Sequence, residues 1–143
     1  FLAGYLNFYF HLIFKNVTLV QSAAGEIFDQ MLRIGPGDVL VGISFPRYSQ
    51  IAVNAVRFAR DRGADVIAVT DSKMSPIYKM ASASLLVSSD MISFVDSMAA
   101  PVSLLNALIM AVGQQKSEET AESFSELERV WSQYGVFGDA EDE

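Results

Sequence analysis

The chain has 143 residues, of which 51% are hydrophobic, enough for one compact domain with a substantial core and too few for two ordinary domains. Its 10 lysine and arginine residues against 17 aspartate and glutamate residues give a net charge of −7, which repels a phosphate backbone, so we do not expect this segment to hold DNA itself. With no cysteine and one histidine, a disulfide framework and a thiolate or multi-histidine metal site are excluded. We expect a cytoplasmic location, no cofactor and no metal.

The segment Phe1–Phe14 is nearly all apolar, and its exceptions Gly4, Asn7 and His11 fall at helical spacing on one side. A membrane span needs about 20 apolar residues, and this run is shorter and interrupted. We therefore expect no membrane association, and a helix buried between a sheet and a partner subunit. His11, on the polar side, is predicted to be a surface or interface residue and not a catalytic one.

The next segment has the pattern of one strand and one helix. Val17–Val20 predicts a brief strand, Gly25–Arg33 predicts a helix, and the turn Gly35–Gly37 closes the unit. Ser22 and Glu26 lie where this strand meets its helix, which makes them candidate ligand residues if the strands are parallel. For Ser22, a plain helix-capping role is the alternative.

The stretch Asp38–Ile43 is a β-branched apolar run without polar alternation, which predicts a strand covered on both faces, as in parallel sheets. A helical pattern follows from about Ser49 to Arg62 and stops at Gly63. The loop between this strand and this helix contains the main candidate ligand residues, which are Ser44, Phe45, Arg47, Tyr48 and Ser49.

This loop leads into a helix N-terminus, where backbone N–H groups are unpaired and the positive end of the peptide dipoles is concentrated. Serine hydroxyls and the forked guanidinium of Arg47 would add donors, so the loop would suit a phosphate or the carboxylate of an acidic sugar. The alternative is that Ser49 only caps the helix, Pro46 shapes the turn and Arg47 is solvated. The loop residues by themselves favour neither interpretation.

The chain then returns to the sheet. Val66–Val69 predicts another buried strand, Ser75–Pro76 predicts the start of a short helix that ends near Ala81, and Leu85–Ser88 predicts a further strand. Ser89, directly after that strand, completes the candidate ligand set.

Two helices are predicted in the last third of the chain. Ser93, with Asp96 three residues later, predicts the start of a long helix that Pro101 should kink or restart. Ser117–Tyr134 has the spacing of an amphipathic helix, and Gly135 ends it. Buried strands alternating with helices indicate an α/β fold with a parallel sheet.

Three segments, Ile34–Ser49, Ala59–Pro76 and Asp96–Leu108, together resemble the sugar isomerase (SIS) domain of RpiR-type bacterial transcriptional regulators. The resemblance covers most of the chain. It implies a three-layer αβα sandwich with a parallel, flavodoxin-like sheet. It also implies that the chain works by binding a ligand and is not an enzyme.

The domain organisation follows from this resemblance. We expect a SIS-type sugar-phosphate-binding domain over residues 1–116 and an amphipathic helix at 117–137 that packs on this domain or on a partner subunit. Residues 138–143 are expected to form an acidic, disordered tail.

The resemblance also bears on the loop Ser44–Ser49, which contains the main candidate ligand residues. In SIS domains, the strand corresponding to Val39–Ile43 is followed by a Ser-x-Ser-Gly-x-Thr loop that binds a sugar phosphate. Ser44 and Ser49 would occupy the first and last positions of that pattern, whereas Pro46 and Arg47 replace the second serine and the glycine. The resemblance therefore favours the ligand interpretation of the loop.

SIS domains begin with a central strand that should precede the helix at Phe1–Phe14, and this first strand is missing from the chain. It would lie between the strands at Val17–Val20 and Val39–Ile43, and without it backbone groups inside the sheet would be unpaired. Because the chain also begins with Phe, we expect the native protein to extend upstream through this strand and into a helix-turn-helix DNA-binding domain.

Three functions are compatible with these patterns. The first is an effector-binding, dimeric or tetrameric domain of a regulator of carbohydrate metabolism that senses a phosphorylated sugar. The second is an aldose-ketose phosphate isomerase, for which Glu26, Asp71 and Asp96 are the only nearby carboxylates that could act as a base. The third is a purely structural oligomerisation module, which would leave the loop Ser44–Ser49 without a purpose.

Overall fold

The fold alternates strands and helices along the chain. The computed structural model describes residues 1–21, 26–89, 91–92 and 95–137, without the side chains of residues 26, 91–92 and 95–96. In chain order the elements are α1 (Leu2–Ile13), α2 (Glu26–Gln30), β1 (Val39–Ile43), α3 (Gln50–Asp61), β2 (Asp65–Thr70), a 3-10 turn at Tyr78–Met80, β3 (Ala83–Leu86), β4 (Met91–Ile92), β5 (Val95–Asp96), α4 (Ala99–Gln115) and α5 (Ser117–Tyr134).

Strands β1, β2 and β3 form a three-stranded parallel sheet in that order. Val39 pairs with Asp65 and Ile67 pairs with Ala83, so the three strands run side by side and end at the same edge. β4 and β5 form a separate antiparallel pair. The predicted α/β fold with a parallel sheet is confirmed.

The sheet is covered on both faces by helices. One apolar cluster joins Val66 and Ala68 of β2 to Val53 and Val56 of α3. A second cluster, on the opposite face, joins Val69 of β2 to residues of α1 and α4, namely Leu2, Leu6 and Leu105. Alternate residues of β2 point to opposite faces, so one strand supplies both clusters and the three-layer arrangement follows.

Helix α3 forms as the sequence predicts. Ser49 occupies the N-cap position, Val53 and Val56 face the sheet, and the helix closes at Arg62. Gly63 follows with φ 84, a left-handed backbone conformation that glycine adopts without steric cost.

Strand β1 is less covered than predicted. None of its residues is buried, and Val39 is 56% exposed. The reason is its place in the sheet, since β1 is an edge strand with β2 as its one neighbour among the described residues. Strand β1 still packs on both faces, through Leu40 against the cluster of α3 and through Val41 and Ile43 against the cluster of α1 and α4, but it is only partly buried. In β2, by contrast, Val66, Ala68 and Val69 are fully buried.

The strand predicted at Val17–Val20 does not form. These residues have no backbone partner strand in the described part of the chain. The segment is instead tied to α2 just beyond its end, where the Gln30 side chain accepts a hydrogen bond from the Gln21 backbone N–H at 3.1 Å and donates one to the Gln21 carbonyl at 2.9 Å. A strand requires such bonds along a neighbouring backbone, and one side-chain amide cannot supply them.

The remaining differences concern where elements begin. Helix α2 is Glu26–Gln30, shorter than predicted, and its predicted first residue, Gly25, lies outside the described residues. The short helix after Ser75 is a 3-10 turn at Tyr78–Met80, and Ser75 does not cap it, because its N-cap is Ile77. Strand β3 begins and ends two residues earlier than predicted.

The long helix predicted from Ser93 begins at Ala99. The chain forms the pair β4 and β5 first, so Asp96 lies in β5 and not in a capping box, while Ser93 itself lies outside the described residues. Pro101 does not kink the helix, because it lies in the first turn, where its missing N–H group has no partner to lose.

Helix α5 forms over the predicted range and ends at Gly135, which has a left-handed conformation with φ 59. It packs against α1 and α4, yet none of its described residues is buried. Residues 138–143, for which an acidic tail is predicted, lie outside the described residues. Among the described helices, none combines the length and the hydropathy that crossing a bilayer requires.

Candidate functional site

The carboxyl ends of the three parallel strands meet at one edge of the sheet. The Ser44 backbone N–H donates to the Val69 carbonyl at 3.1 Å, and the Val87 N–H donates to the Thr70 carbonyl at 2.9 Å. The loops that follow β1, β2 and β3 are therefore neighbours. This is the side of an open parallel sheet on which ligands bind.

Buried hydroxyl groups are concentrated in these loops. All four described polar residues that are buried, Ser44, Thr70, Ser75 and Ser89, end a strand of the sheet or follow one. Only the Thr70 hydroxyl hydrogen-bonds to another described residue, and the Ser75 hydroxyl is fully buried without a partner. Because a buried hydroxyl without a partner costs free energy, such a group needs a water molecule or a ligand.

The N-terminus of α3 is open. Ser49 has an extended backbone (φ −64, ψ 122) and holds the N-cap position, but its side chain makes no capping hydrogen bond. Its carbonyl accepts from the Val53 N–H at 3.0 Å, so the helix starts normally. The first N–H groups of α3 and the exposed Ser49 hydroxyl are therefore available as donors to an anion.

Arg47 has a left-handed backbone with φ 65, the one non-glycine residue with positive φ in the described chain. Such a conformation costs a non-glycine residue about 1–3 kcal/mol. The SIS loop pattern has glycine at this position, and the present loop keeps a glycine-like backbone while carrying an arginine. The arginine at this position therefore has a backbone conformation that glycine would adopt without steric cost.

Two aromatic residues fix the loop to its surroundings. Phe45 packs against the cluster that contains Leu105 of α4. The Tyr48 hydroxyl donates to the Asp71 carboxylate, with distances of 2.9 and 3.2 Å to its two oxygens. Partial removal from water, followed by this hydrogen bond and the nearby negative charge, raises the pKa of Tyr48 above its ordinary value.

Thr70 ties the end of β2 to the first residue of the loop. Its hydroxyl donates to the Ser44 carbonyl at 2.6 Å, and an Asp71 carboxylate oxygen lies 3.2 Å from the same hydroxyl oxygen. The Thr70 hydroxyl has one proton, and it donates this proton in the shorter contact, to the Ser44 carbonyl. A chain of polar contacts thus runs from Ser44 through Thr70 and Asp71 to Tyr48.

We expect Thr70→Val to lower the free energy of unfolding by about 1–3 kcal/mol, because the substitution removes the hydroxyl that serves the Ser44 carbonyl at a fully buried position. Thr70→Ser keeps the donor and serves as the matched control. Urea unfolding followed by circular dichroism measures both variants. A valine variant as stable as the unaltered chain would show that the Thr70 hydroxyl does not support the loop.

The predicted ligand residues are only partly brought together. The strand-end loops hold Ser44, Phe45, Arg47, Tyr48, Ser49 and Ser89. Ser22 and the side chain of Glu26 lie outside the described residues. His11 is exposed on α1, and no cluster of three or more metal-ligating side chains occurs in the described chain.

Thr70 and Asp71 were not among the predicted ligand residues, yet they join the loop after β1 to the loop after β2. Their position in the sequence could have indicated this role, since both come directly after the uninterrupted apolar run Val66–Val69. The pairing of Tyr48 with Asp71 depends on strand order and could not be read from their spacing of 23 residues.

A groove of about 370 Å³ lies elsewhere, between α4 and α5. It is lined by Met110, Gly113, Gln114, Ser117, Thr120 and Ala121, and by no residue of the strand-end loops.

Comparison with known proteins identifies similar domains. A family model described as SIS domain matches residues 1–111. An uncharacterized HTH-type transcriptional regulator from Caldanaerobacter subterraneus subsp. tengcongensis is 30% identical over 100 residues, which cover 67% of this chain and 36% of that protein. The chain therefore spans about a third of the length of this curated relative.

Two solved structures have a similar fold. The sugar isomerase domain of an RpiR transcription factor from Sphaerobacter thermophilus matches with a TM-score of 0.83 and 22% identity, over 90% of this chain and 72% of that one. The NanR protein of Vibrio vulnificus, solved in complex with ManNAc-6P, matches with a TM-score of 0.73 and 15% identity, over 96% of this chain and 52% of that one. At these identities the likeness concerns the fold.

Proposed function

Because the chain belongs to the SIS domain family, we propose that it binds a phosphorylated sugar at the carboxyl edge of its parallel sheet. We propose further that it is the effector-sensing and dimerisation domain of a transcriptional regulator of carbohydrate metabolism. The observation that supports the ligand site is the open N-terminus of α3 in the same loop as Ser44, a buried residue whose hydroxyl bonds to no other described residue.

The chemistry of this edge suits a phosphate. Ser44 and Ser49 offer hydroxyl donors, the first turn of α3 offers backbone N–H groups, and the loop between them carries the guanidinium of Arg47. Donors and positive charge of this kind form strong hydrogen bonds with an anion. Ser89, with 7% of its surface exposed, is the proposed contribution of the loop after β3.

The proposed domain organisation is a sugar-phosphate-binding domain over residues 1–116 and a helix at 117–137 that packs on it or on a partner subunit. The named relatives are transcriptional regulators, one of them of the HTH type. DNA contact would then come from a part of the protein upstream of this acidic chain. A ligand acts as a switch only if it distinguishes two arrangements of the assembly.

An aldose-ketose isomerase is the weaker candidate. Such an enzyme needs a positioned base beside the carbonyl of its substrate. Of the carboxylates suggested for this role, Asp71 accepts the Tyr48 hydroxyl, and Asp96 lies in β5. Ligand binding without chemistry requires no catalytic base.

We expect phosphorylated sugars to raise the melting temperature of the chain, since a ligand that binds only the folded state stabilises it. Ser44→Ala and Ser49→Ala should each weaken binding about tenfold or more, because a hydrogen bond to a charged group contributes about 1.5–3 kcal/mol. Isothermal titration with the sugar phosphate that gives the largest shift measures this effect.

The matched control is Ser125→Ala, which removes an exposed hydroxyl of α5 and should leave affinity unchanged. Oligomeric state, measured by sedimentation, should be the same for all three variants. Absence of a thermal shift across hexose, pentose and N-acetylhexosamine phosphates would count against the sensor function. Unchanged affinity in both loop variants would mean that the ligand binds at another site.

A further inference from the structure

We propose that Asp71 is a specificity-determining residue that binds hydroxyl groups of the sugar, so that the ligand is a polyhydroxylated phosphosugar and not any small phosphate. This inference rests on the proposed function. It assigns a ligand contact to the loop after β2, whereas the phosphate contacts come from the loop after β1.

The first argument is position. Asp71 directly follows the last residue of β2, at the edge where the loops of the site meet, and it is partly exposed. It is the only carboxylate in the described parts of the loops after β1, β2 and β3. Its hydrogen bond with Tyr48 places it beside the loop that carries Ser44 and Ser49.

The second argument is spare hydrogen-bonding capacity. An ionised carboxylate has about four lone-pair positions and donates nothing. Asp71 accepts one proton from Tyr48, and the Thr70 proton is committed to the Ser44 carbonyl at 2.6 Å. Most of the acceptor capacity of Asp71 therefore remains, and sugar hydroxyls are donors that can use it.

The third argument is charge. A phosphate bound at the N-terminus of α3 would be repelled by a carboxylate in the adjacent loop. A site built only for phosphate would therefore be better with an amide at this position. The carboxylate improves binding only if the rest of the ligand supplies donors, as a sugar does.

The orientation of Asp71 is also fixed in advance. Tyr48 contacts both carboxylate oxygens, at 2.9 and 3.2 Å, and this limits rotation of the carboxylate before any ligand arrives. An acceptor that is already oriented loses less conformational entropy on binding. We assign Tyr48 to positioning Asp71.

The test compares two kinds of probe on the same protein. Isothermal titration with inorganic phosphate and with N-acetylmannosamine 6-phosphate, glucose 6-phosphate and fructose 6-phosphate gives the ratio of sugar-phosphate affinity to phosphate affinity. For Asp71→Asn, which keeps the shape and removes the charge, we expect phosphate to bind about threefold more tightly. The best sugar phosphate should bind more weakly, and the ratio should fall about tenfold or more.

Two variants serve as controls. Asp61→Asn makes the same change of net charge at the far end of α3, about 17 Å along the helix axis, and should leave the ratio unchanged. Tyr48→Phe keeps the carboxylate but releases its orientation, and should lower the ratio by less than Asp71→Asn does.

The outcomes separate this inference from the proposed function. If the unaltered chain binds none of the probes, both are overturned. If it binds a sugar phosphate and Asp71→Asn raises both affinities equally or leaves both unchanged, the ratio stays the same. The sensor function then stands and the role of Asp71 is overturned. A fall in the ratio confined to Asp71→Asn and Tyr48→Phe supports the assignment.

Discussion

Replacing Leu105 with alanine is expected to lower the free energy of unfolding by about 2–5 kcal/mol, because truncation of a buried leucine loses apolar contacts and leaves a cavity. Leu105 has no exposed surface and belongs to the cluster that joins α1 and α4 to the sheet. Val69 of β2 and Phe45 of the loop after β1 pack in the same cluster. The substitution should therefore loosen the loop after β1 as well.

Met110→Ala is the matched control for this experiment. Met110 lies on the same helix but is 65% exposed, so its truncation should change stability by no more than about 0.5 kcal/mol. Urea unfolding of both variants gives the comparison. Similar stability of the two variants would mean that α4 does not pack on the sheet through Leu105.

Replacing Gly42 with valine is expected to lower the free energy of unfolding by about 1–3 kcal/mol or more, which is the usual range for overpacking a core. A Cβ atom at Gly42 would lie 2.7 Å from Cγ2 of Val56 in α3. Valine in a helix keeps one preferred rotamer, so Val56 cannot swing aside. Strand β1 and helix α3 approach this closely only because position 42 has no side chain.

A compensating substitution tests this explanation directly. Val56→Ala removes the methyl group that clashes, so Gly42→Ala should be less harmful in the Val56→Ala background than alone. Gly4→Ala is the control, since no atom lies within 4 Å of a Cβ built at Gly4. Alanine there should stabilise helix α1 by about 0.5–1 kcal/mol. Additive effects at positions 42 and 56 would rule out the clash.

The elements with the strongest local signals could be predicted from the sequence. Helix α3 has both an amphipathic pattern and a terminal glycine, and its predicted range differs from the observed range by one residue at each end. Strand β2 is an uninterrupted apolar run that is covered on both faces, as predicted. In these elements, the local conformational preference and the burial of apolar side chains favour the same structure.

The elements that were misplaced depend on contacts between distant residues. Val17–Val20 has strand-like residues, but strand formation requires a backbone neighbour, and none lies beside it in the described chain. The Ser93–Asp96 pattern fits a capping box, yet Asp96 pairs with Met91 in an antiparallel ladder. Local pattern alone cannot decide between these arrangements.

The candidate site shows the same division. The position of Ser44 and Ser49 around the strand-to-helix loop follows from the order of elements along the chain. The hydrogen bond between Tyr48 and Asp71, and the one from Thr70 to the Ser44 carbonyl, depend on which strands are neighbours. Strand order is a tertiary property, so this part of the site could not be predicted from the sequence.

The loop after β1 is attached to the rest of the fold at two points, and this has a consequence for the proposed sensor function. One attachment, through Phe45, leads to the helices α1 and α4, and the other, through Tyr48, leads to the end of β2. A loop restrained at both points cannot absorb a bound ligand by local flexing alone. If the proposed ligand binds this loop, any displacement that it causes would be shared between the sheet and the helical layer, and α1 and α4 would be on the output side of the proposed sensor.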